Sequence, residues 1–335
     1  MAIHNDWDAP TIAHMACELV IGVDGGQTST KCALVACDGR VLAYGQGSGL
    51  VHLAAAGARE RHAAALREAF ASAWTNAGLE PQPVAAIGLG LTGVEDNSPE
   101  AALARQIVAG LISAQHIAVH SDAYAALIGA HGNRPGIIAI SGTGSHILGM
   151  NAAGELARAG GWGWLLGDEG SALWIGRSGL MAALHAHDGV GEPTMLEGLM
   201  REHFQVKALG DVKRRVYDSS FGAKGFAALA PLVSQAAAQG DAIAQSIVTQ
   251  AARDLATQVM AVQRRLALPP DAPVAPVGGA YAHVHGLRAG FTAALCEINP
   301  QANVVDPLLS PVLGAALIAL QACGCRAIIR TDAVD

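Results

Sequence analysis

The sequence has few charged residues and no long hydrophobic run, and each shortage excludes a class of protein. Charged residues make up 15% of the 335, and the net charge is −7. That balance excludes a nucleic-acid-binding protein held by a broad basic surface. No apolar run reaches the roughly 18–20 residues of a membrane-spanning helix, and the N-terminus lacks the basic-then-apolar pattern of a signal peptide. We therefore expect a cytoplasmic protein with neither nucleic-acid nor membrane partners.

Cysteine is also scarce, and the six residues are scattered at positions 17, 32, 37, 296, 323 and 325. This spacing predicts thiols in a reducing compartment and no disulfide framework. Cys323-Gly324-Cys325 is too sparse on its own for a zinc or iron–sulfur site. Residues 1–18 do not join the periodic pattern of the rest, so we expect an N-terminal extension, with Met15 as an alternative natural start.

The commonest nucleotide-binding fingerprints are missing or incomplete. Lys31 lacks the preceding glycine of a Walker A motif. The Gly-x-Gly-x-x-Gly pattern at 88–93 follows a predicted strand, but the acidic residue expected about 20 positions later is absent. A metal site at His185 and His187 is not expected either, because helical residues two apart point about 200° away from each other.

What the chain has in abundance is glycine, 40 residues without a collagen-like period. An apolar strand ends in Asp24-Gly25-Gly26-Gln27-Thr28, and a second strand follows from Cys32 to Cys37. The same theme returns at 136–150, where a buried strand ends in Ser141-Gly142-Thr143-Gly144-Ser145. Glycine lets a backbone approach phosphate closely, and its N–H groups and nearby hydroxyls can cradle it. The repeat predicts a duplicated α/β unit with a cleft between the copies.

Further candidate site residues lie at other strand ends, where ligands bind in α/β sheets. Thr92-Gly93 and Gly278-Gly279 each follow a predicted strand. Asp122 ends a strand and starts a helix, as either a helix N-cap or a general base for a sugar hydroxyl. The segment 160–171 sets two tryptophans among glycines beside Asp168 and Glu169, which indicates either contact with a sugar or a helix start capped by Asp168.

Together these motifs resemble the sugar-kinase, Hsp70 and actin superfamily over residues 19–322. Within it the chain is similar to the N-acetylglucosamine kinase and glucosamine kinase group of the BadF/BadG/BcrA/BcrD ATPase family. The resemblance implies two ribonuclease-H-like (actin-like ATPase) domains with a cleft between them, over 19–131 and 132–309. It also implies that a helix at 310–322 returns to the first domain.

The same resemblance implies roles for individual residues. ATP phosphates with Mg²⁺ would bind Asp24, Gly25, Gly26 and Thr28, with Asp24 near the metal. The second phosphate loop would be Gly142, Thr143, Gly144 and Ser145, and adenosine would lie by Gly278 and Gly279. The catalytic base would be Asp122, and the sugar pocket would include Gly161, Trp162, Asp168 and Glu169. One departure is Val51, which stands where acetylglucosamine kinases of this group carry a sugar-binding Asn.

The sequence thus predicts an ATP-dependent kinase for the 6-hydroxyl of N-acetylglucosamine, acting as a possible homodimer. Because of Val51, free glucosamine stays open as the substrate. Two alternatives belong to other classes of protein. One is an iron–sulfur ATPase that activates another enzyme, and the other is a non-catalytic ATP-gated binding module.

Overall fold

A computed structural model describes residues 19–53 and 55–330. The predicted extension and Met15 lie outside these residues. The strands are short and mostly buried, and in chain order they are β1 Leu19–Gly25, β2 Ser29–Ala36, β3 Val41–Ser48, β4 Val84–Leu91, β5 Ala114–Ser121, β6 Gly136–Ser141, β7 Ser145–Met150, β8 Leu156–Gly160, β9 Pro273–Val277 and β10 Asn303–Val304.

Helices fill most of the chain between and after the strands. In order they are α1 Ala58–Ala77, α2 Pro99–Ala109, α3 Asp122–His131, α4 Ala172–His187, α5 Leu196–Phe204, α6 Val212–Val216, α7 Gly222–Ala227, α8 Ala230–Ala238, α9 Ala242–Arg265, α10 Gly279–His283, α11 Leu287–Ile298 and α12 Pro311–Ala322. Within the described residues, none of them is both long enough and apolar enough to cross a membrane.

The strands form two five-stranded sheets with the same topology. The first has the order β3-β2-β1-β4-β5 and the second the order β8-β7-β6-β9-β10. In each, three strands form an antiparallel meander, and two more strands run parallel to the central one. Because the order and directions repeat strand for strand along the chain, the predicted duplication of an α/β unit is confirmed.

The chain divides into two compact units. Among the described residues, one contains those up to Ala125 and those from Ala315 to Arg330, and the other is continuous from Ala126 to Gly314. The sequence analysis set its division at 131/132 and began the returning helix at 310. In the structure α3 begins in the first unit and ends in the second, and α12 does the reverse.

Glycines on the strands of the first unit let helices pack directly on the sheet backbone. A Cβ atom built on Gly45 would lie 2.1 Å from the Ala69 carbonyl oxygen of α1. One built on Gly88 would lie 2.1 Å from the Ala315 oxygen of α12, and one on Gly90 would lie 2.4 Å from the Ala125 Cβ atom. The Gly-x-Gly-x-x-Gly pattern at 88–93 is thus largely explained by helix packing, which agrees with the rejection of a dinucleotide fingerprint.

The second unit has its own apolar core, built largely from α4, α8, α9 and α11. The amphipathic pattern at 225–238 predicts a single helix, but the structure has two there, α7 and α8. Helix α11 was not predicted from the sequence. Its apolar residues Leu287, Phe291 and Leu295 do have helical spacing and are buried, and Gly286 precedes them with a φ of 79°.

Candidate active site

The predicted catalytic residues of the first unit lie at one edge of its sheet. Strands β1, β4 and β5 are parallel, and Gly25, Leu91 and Ser121 are aligned across them at their carboxyl ends. Asp24 directly precedes this row and Asp122 directly follows it. The structure therefore brings the two aspartates to the same edge, where ligands of α/β sheets bind.

The two carboxylates influence each other electrostatically. Asp24 has its pKa raised from 3.8 to about 6, first by burial and second by the negative charge of Asp122. Lys31, which pairs with Asp24 across the β1–β2 hairpin, acts in the opposite direction. A carboxylate in this position carries its charge at a free-energy cost, which a bound cation would relieve.

The first glycine loop is a tight turn between β1 and β2. The Gly26 N–H donates to the Ser29 carbonyl at 3.0 Å, and the Leu50 N–H donates to the Gly26 carbonyl at 2.9 Å. Gly25 is enclosed: a Cβ atom there would meet Leu50 and Leu91 side chains at 2.5 and 2.6 Å. Thr28, by contrast, is exposed at the tip of the turn. The backbone of the loop is thus fixed by hydrogen bonds and packing, whereas the Thr28 hydroxyl is accessible to a ligand.

Asp122 is not the N-cap of α3. Ser121 Oγ accepts the hydrogen bond from the Tyr124 N–H at 3.1 Å, which is the bond an N-cap side chain makes. Asp122 Oδ1 accepts from the Ala123 N–H at 2.8 Å. Its other carboxylate oxygen is not needed for capping, so the purely structural reading of Asp122 as a cap is wrong.

The second glycine loop joins β6 to β7, the counterparts of β1 and β2. The Gly142 N–H donates to the Gly144 carbonyl at 2.9 Å. Two backbone N–H groups at the start of α4 donate to carbonyls of the loop, Ala172 to Gly142 at 2.9 Å and Leu173 to Thr143 at 3.2 Å. The start of α4 is therefore hydrogen-bonded to the loop. In addition, Ser145 Oγ donates to the Glu169 carbonyl at 2.6 Å.

Asp168 lies against this second loop. Its carboxylate would be 3.0 Å from a Cβ atom built on Gly144, and it accepts a hydrogen bond from the Ser145 backbone N–H. Burial raises its pKa above the usual range, and this hydrogen bond opposes the effect. The N-cap of α4 is Ser171, whose Oγ accepts from the Trp174 N–H at 3.1 Å. The alternative reading of Asp168 as helix cap is therefore wrong.

Gly278 follows β9 and touches the same loop. Its φ is 113°, and a Cβ atom there would lie 2.3 Å from the Ser141 carbonyl oxygen. Since β9 is parallel to β6, their carboxyl ends meet, and Gly278 and Gly279 lie beside residues 141–145. Only glycine fits both the dihedral angle and the contact.

The tryptophan segment projects from the second unit. Trp162 is 66% exposed, and the Arg158 guanidinium lies 5.8 Å from the centroid of its ring. Gly161 has a φ of 70° and its N–H donates to the Ser145 carbonyl at 3.1 Å, which ties the segment to the second glycine loop. Glu169, half-buried, lies next to Asp168. The predicted sugar-binding residues thus adjoin the predicted phosphate-binding loop of the same unit.

The sequence analysis missed several basic residues that lie near the candidate site aspartates Asp24, Asp122 and Asp168. Lys31 was considered only as part of a Walker A motif, although hairpin pairing across 26–28 would have placed it opposite Asp24. His146 and Arg177 lower the pKa of Asp168. His120 forms a 2.9 Å contact with Asp96 just before Asp122. No sequence signal identifies these last pairs, because they depend on tertiary contacts.

Residues 21–319 match the sequence model of the BadF/BadG/BcrA/BcrD ATPase family. The chain belongs to this family. The family resemblance read from the sequence is therefore confirmed, and membership of an ATPase family implies the use of ATP.

Relatives over nearly the whole chain carry kinase names. An N-acetylmuramic acid/N-acetylglucosamine kinase from Clostridium acetobutylicum is 31% identical, with 91% of this chain and 99% of the relative covered. An N-acetyl-D-glucosamine kinase from Dictyostelium discoideum is 32% identical with the same coverage. A solved structure from Chromobacterium violaceum, provisionally named an N-acetylglucosamine kinase, has a TM-score of 0.73 at 30% identity and covers 91% of this chain and 100% of its own.

Proposed function

We propose that this protein is an ATP-dependent kinase that phosphorylates the 6-hydroxyl of N-acetylglucosamine. The observation that carries the proposal is the pairing of Asp24 and Asp122 at the ligand-binding edge of the first sheet, beside a phosphate-type glycine turn. Two full-length relatives above 30% identity with matching names support the substrate class.

Asp122 is the proposed general base. It would accept a hydrogen bond from the sugar 6-hydroxyl, orient the oxygen toward the γ-phosphate, and take its proton as the new bond forms. Its backbone is fixed by the Ser121 cap and by the start of α3, so the carboxylate is held in position. Phosphoryl transfer needs this positioning more than it needs strong basicity.

The phosphates of ATP are proposed to bind the two glycine loops, at Asp24, Gly25, Gly26 and Thr28 and at Gly142, Thr143, Gly144 and Ser145. Mg²⁺ would be held near Asp24, since the raised pKa of this carboxyl favours a compensating cation and oxygen ligands suit the ion. When bound, Mg²⁺ neutralises charge on the phosphates. Gly278 and Gly279 would face the adenosine.

The sugar is proposed to contact Gly161, Trp162, Asp168 and Glu169. The Trp162 ring offers an apolar surface, and the two carboxylates can accept hydrogen bonds from sugar hydroxyls. We also propose that the protein is cytoplasmic, because ATP and amino sugars are cytoplasmic substrates. From the resemblance alone, we propose that it forms a homodimer. Analytical ultracentrifugation tests the latter.

The deciding experiment measures ADP release with Mg-ATP and each of N-acetylglucosamine, N-acetylmuramic acid, glucosamine, N-acetylmannosamine and glucose, with a sugar-free blank. Strong stimulation by N-acetylglucosamine supports the proposal, and mass spectrometry of the product locates the phosphate. Stimulation by glucosamine alone would replace the acetylated substrate with the free amino sugar. Equal ADP release in every well, blank included, would overturn the kinase proposal and favour an ATPase that drives another protein.

Asp122→Asn tests the base directly. We expect kcat to fall by on the order of 10²–10⁴-fold, because the amide keeps the shape but accepts no proton. The thermal transition should be nearly unchanged. Asp271→Asn is the matched control, since this exposed carboxyl precedes β9 at the opposite end of the second sheet's strands. A variant of Asp122 with full activity would exclude its role as base.

A further inference from the structure

Three of the cysteines that are scattered in the sequence meet in the first unit. The sulfur atoms of Cys37, Cys323 and Cys325 all lie within 4.8 Å of one another. Cys323 and Cys325 have a sulfur–sulfur distance of 3.6 Å. Within residues 19–53 and 55–330, this is the one group of three or more cysteine, histidine or carboxylate side chains whose ligand atoms lie close enough together to bind a metal ion.

Backbone geometry holds Cys323 and Cys325 on either side of a helix-ending turn. Gly324 has a φ of 78°, its N–H donates to the Gln321 carbonyl at 3.0 Å, and the Cys325 N–H donates to the Leu320 carbonyl at 2.8 Å. This is the reversal that commonly ends a helix at a glycine. It fixes the two side chains at the end of α12.

Cys37 comes from the other end of the chain, in the turn between β2 and β3. The final described residues pass across this turn: the Arg330 N–H donates to the Gly39 carbonyl at 2.9 Å. Gly39 has a φ of 89°, and a Cβ atom there would lie 2.1 Å from the Ile328 oxygen. The backbone contacts thus bring the three cysteines together.

The cluster is separate from the candidate active site. Strand β2 is antiparallel to β1, and Ala36 pairs with Leu19 at the start of β1. The β2–β3 turn therefore lies at the opposite edge of the sheet from Asp24.

We propose that Cys37, Cys323 and Cys325 bind one zinc ion as thiolates. Zinc–sulfur bonds of about 2.3 Å in a tetrahedron place sulfurs roughly 3.8 Å apart. The Cys323–Cys325 sulfur distance of 3.6 Å is close to this value and much longer than the roughly 2.05 Å of a disulfide, and the Cys37 sulfur lies within 4.8 Å of both. The three thiolates leave the fourth position of the tetrahedron open, and a water molecule can fill it.

The proposed zinc site would link the β2–β3 turn, which holds Cys37, to the segment after α12, which holds Cys323 and Cys325, within one unit. Cys37 and Cys323 are separated by most of the sequence, and a cross-link that closes so long a loop restricts the unfolded chain strongly. Zinc would therefore stabilise the attachment of α12 and the segment that follows it to the first sheet. Each proton displaced from a thiol goes to solvent, and no redox step is involved.

The test uses the full chain, purified without a histidine tag. We expect elemental analysis to find about one zinc per chain, and Co²⁺ exchanged into the protein to give the visible bands of a tetrahedral thiolate site. Cys37→Ser and Cys325→Ser should each lose the metal and lower Tm by several degrees. Cys296→Ser is the matched control, because this exposed cysteine lies in α11 of the second unit, and it should keep its zinc.

The proposal stays testable if the variants fail to fold, because the metal content and the Co²⁺ spectrum are read on the unmodified chain. A chain that holds no zinc and gives no thiolate bands with Co²⁺ would overturn it. So would an iron–sulfur absorption spectrum, or a mass two hydrogens lower with Cys37 in a disulfide. Sugar-stimulated ADP release is measured separately, so failure here is distinguishable from failure of the kinase proposal.

Discussion

The surroundings of Asp24 disfavour its ionised form unless a cation is bound nearby. Burial and the neighbouring Asp122 raise its pKa from 3.8 to about 6, so the folded protein binds this proton more tightly than the unfolded chain does. The contribution of Asp24 therefore stabilises the fold at acidic pH and is lost as the pH rises through 6. Stability is reduced at neutral pH where the proposed metal ligand must be ionised.

Asp24→Asn should raise the Tm of the ligand-free protein at pH 8 and change it much less at pH 4, because asparagine removes a charge that exists only above about pH 6. The variant should also lose the Tm increase that Mg-ATP gives the parent. Differential scanning fluorimetry at the two pH values measures both effects. Asp271→Asn, an exposed carboxyl, serves as control, and an equal Tm shift at both pH values for Asp24→Asn would contradict the prediction.

Residue types at strand ends were a good guide to Asp24 and Asp122, because parallel strands bring their carboxyl ends together whatever the loops do. The position of Asp168 was less predictable. Its φ of 65° and its contact with the Gly144–Ser145 backbone depend on how α4 packs beneath the loop. No local pattern in 160–171 encodes that contact.

At the scale of elements, the second glycine loop is held not only by α4 but also by a close approach between β9 and β6. Gly278 lies so near the Ser141 carbonyl that the two strand ends form one surface. The strands themselves were predictable because they are short buried runs. Helix α11 was missed although its apolar residues have helical spacing, and α7 and α8 were merged across Ala228–Leu229.

Gly278→Ala should disrupt this surface. The dihedral strain alone costs about 1–3 kcal/mol, and the clash with Ser141 displaces the loop, so nucleotide affinity should fall together with Tm. Isothermal titration with ADP measures the loss. Gly240 also has a positive φ, 88°, so Gly240→Ala is strained too, but no atom lies within 4 Å of the new Cβ. If both variants bind ADP equally well, the loop contact is unimportant.

At the scale of the whole molecule, the first unit is built from both ends of the described chain. Residues 315–330 belong to it, and α12 packs on the backbone of Gly88 in β4. The sequence resemblance implied the returning helix, whereas hydrophobic pattern alone could not, since α12 is apolar on all sides and fits many neighbours.

Gly88→Ala should destabilise the first unit by roughly 1–3 kcal/mol, the usual cost of overpacking a close contact. The measurement is urea unfolding, followed by a probe in that unit. Gly198→Ala is the contrasting control: it lies inside α5 with nothing within 4 Å, so it should be neutral or stabilising by about 0.5–1 kcal/mol. Equal effects of the two substitutions would show that α12 adapts to the added methyl group.

The return of α12 also sets an order of events at the ribosome. The five strands of the first sheet are synthesised first, but the helix that covers Gly88 emerges only after the whole of 126–314 has been made. The second unit, continuous in the chain, can complete its core while the first still lacks a layer. Of the two units, the one whose strands come first in the sequence is therefore the later to finish folding, the reverse of the usual order in which domains fold during translation.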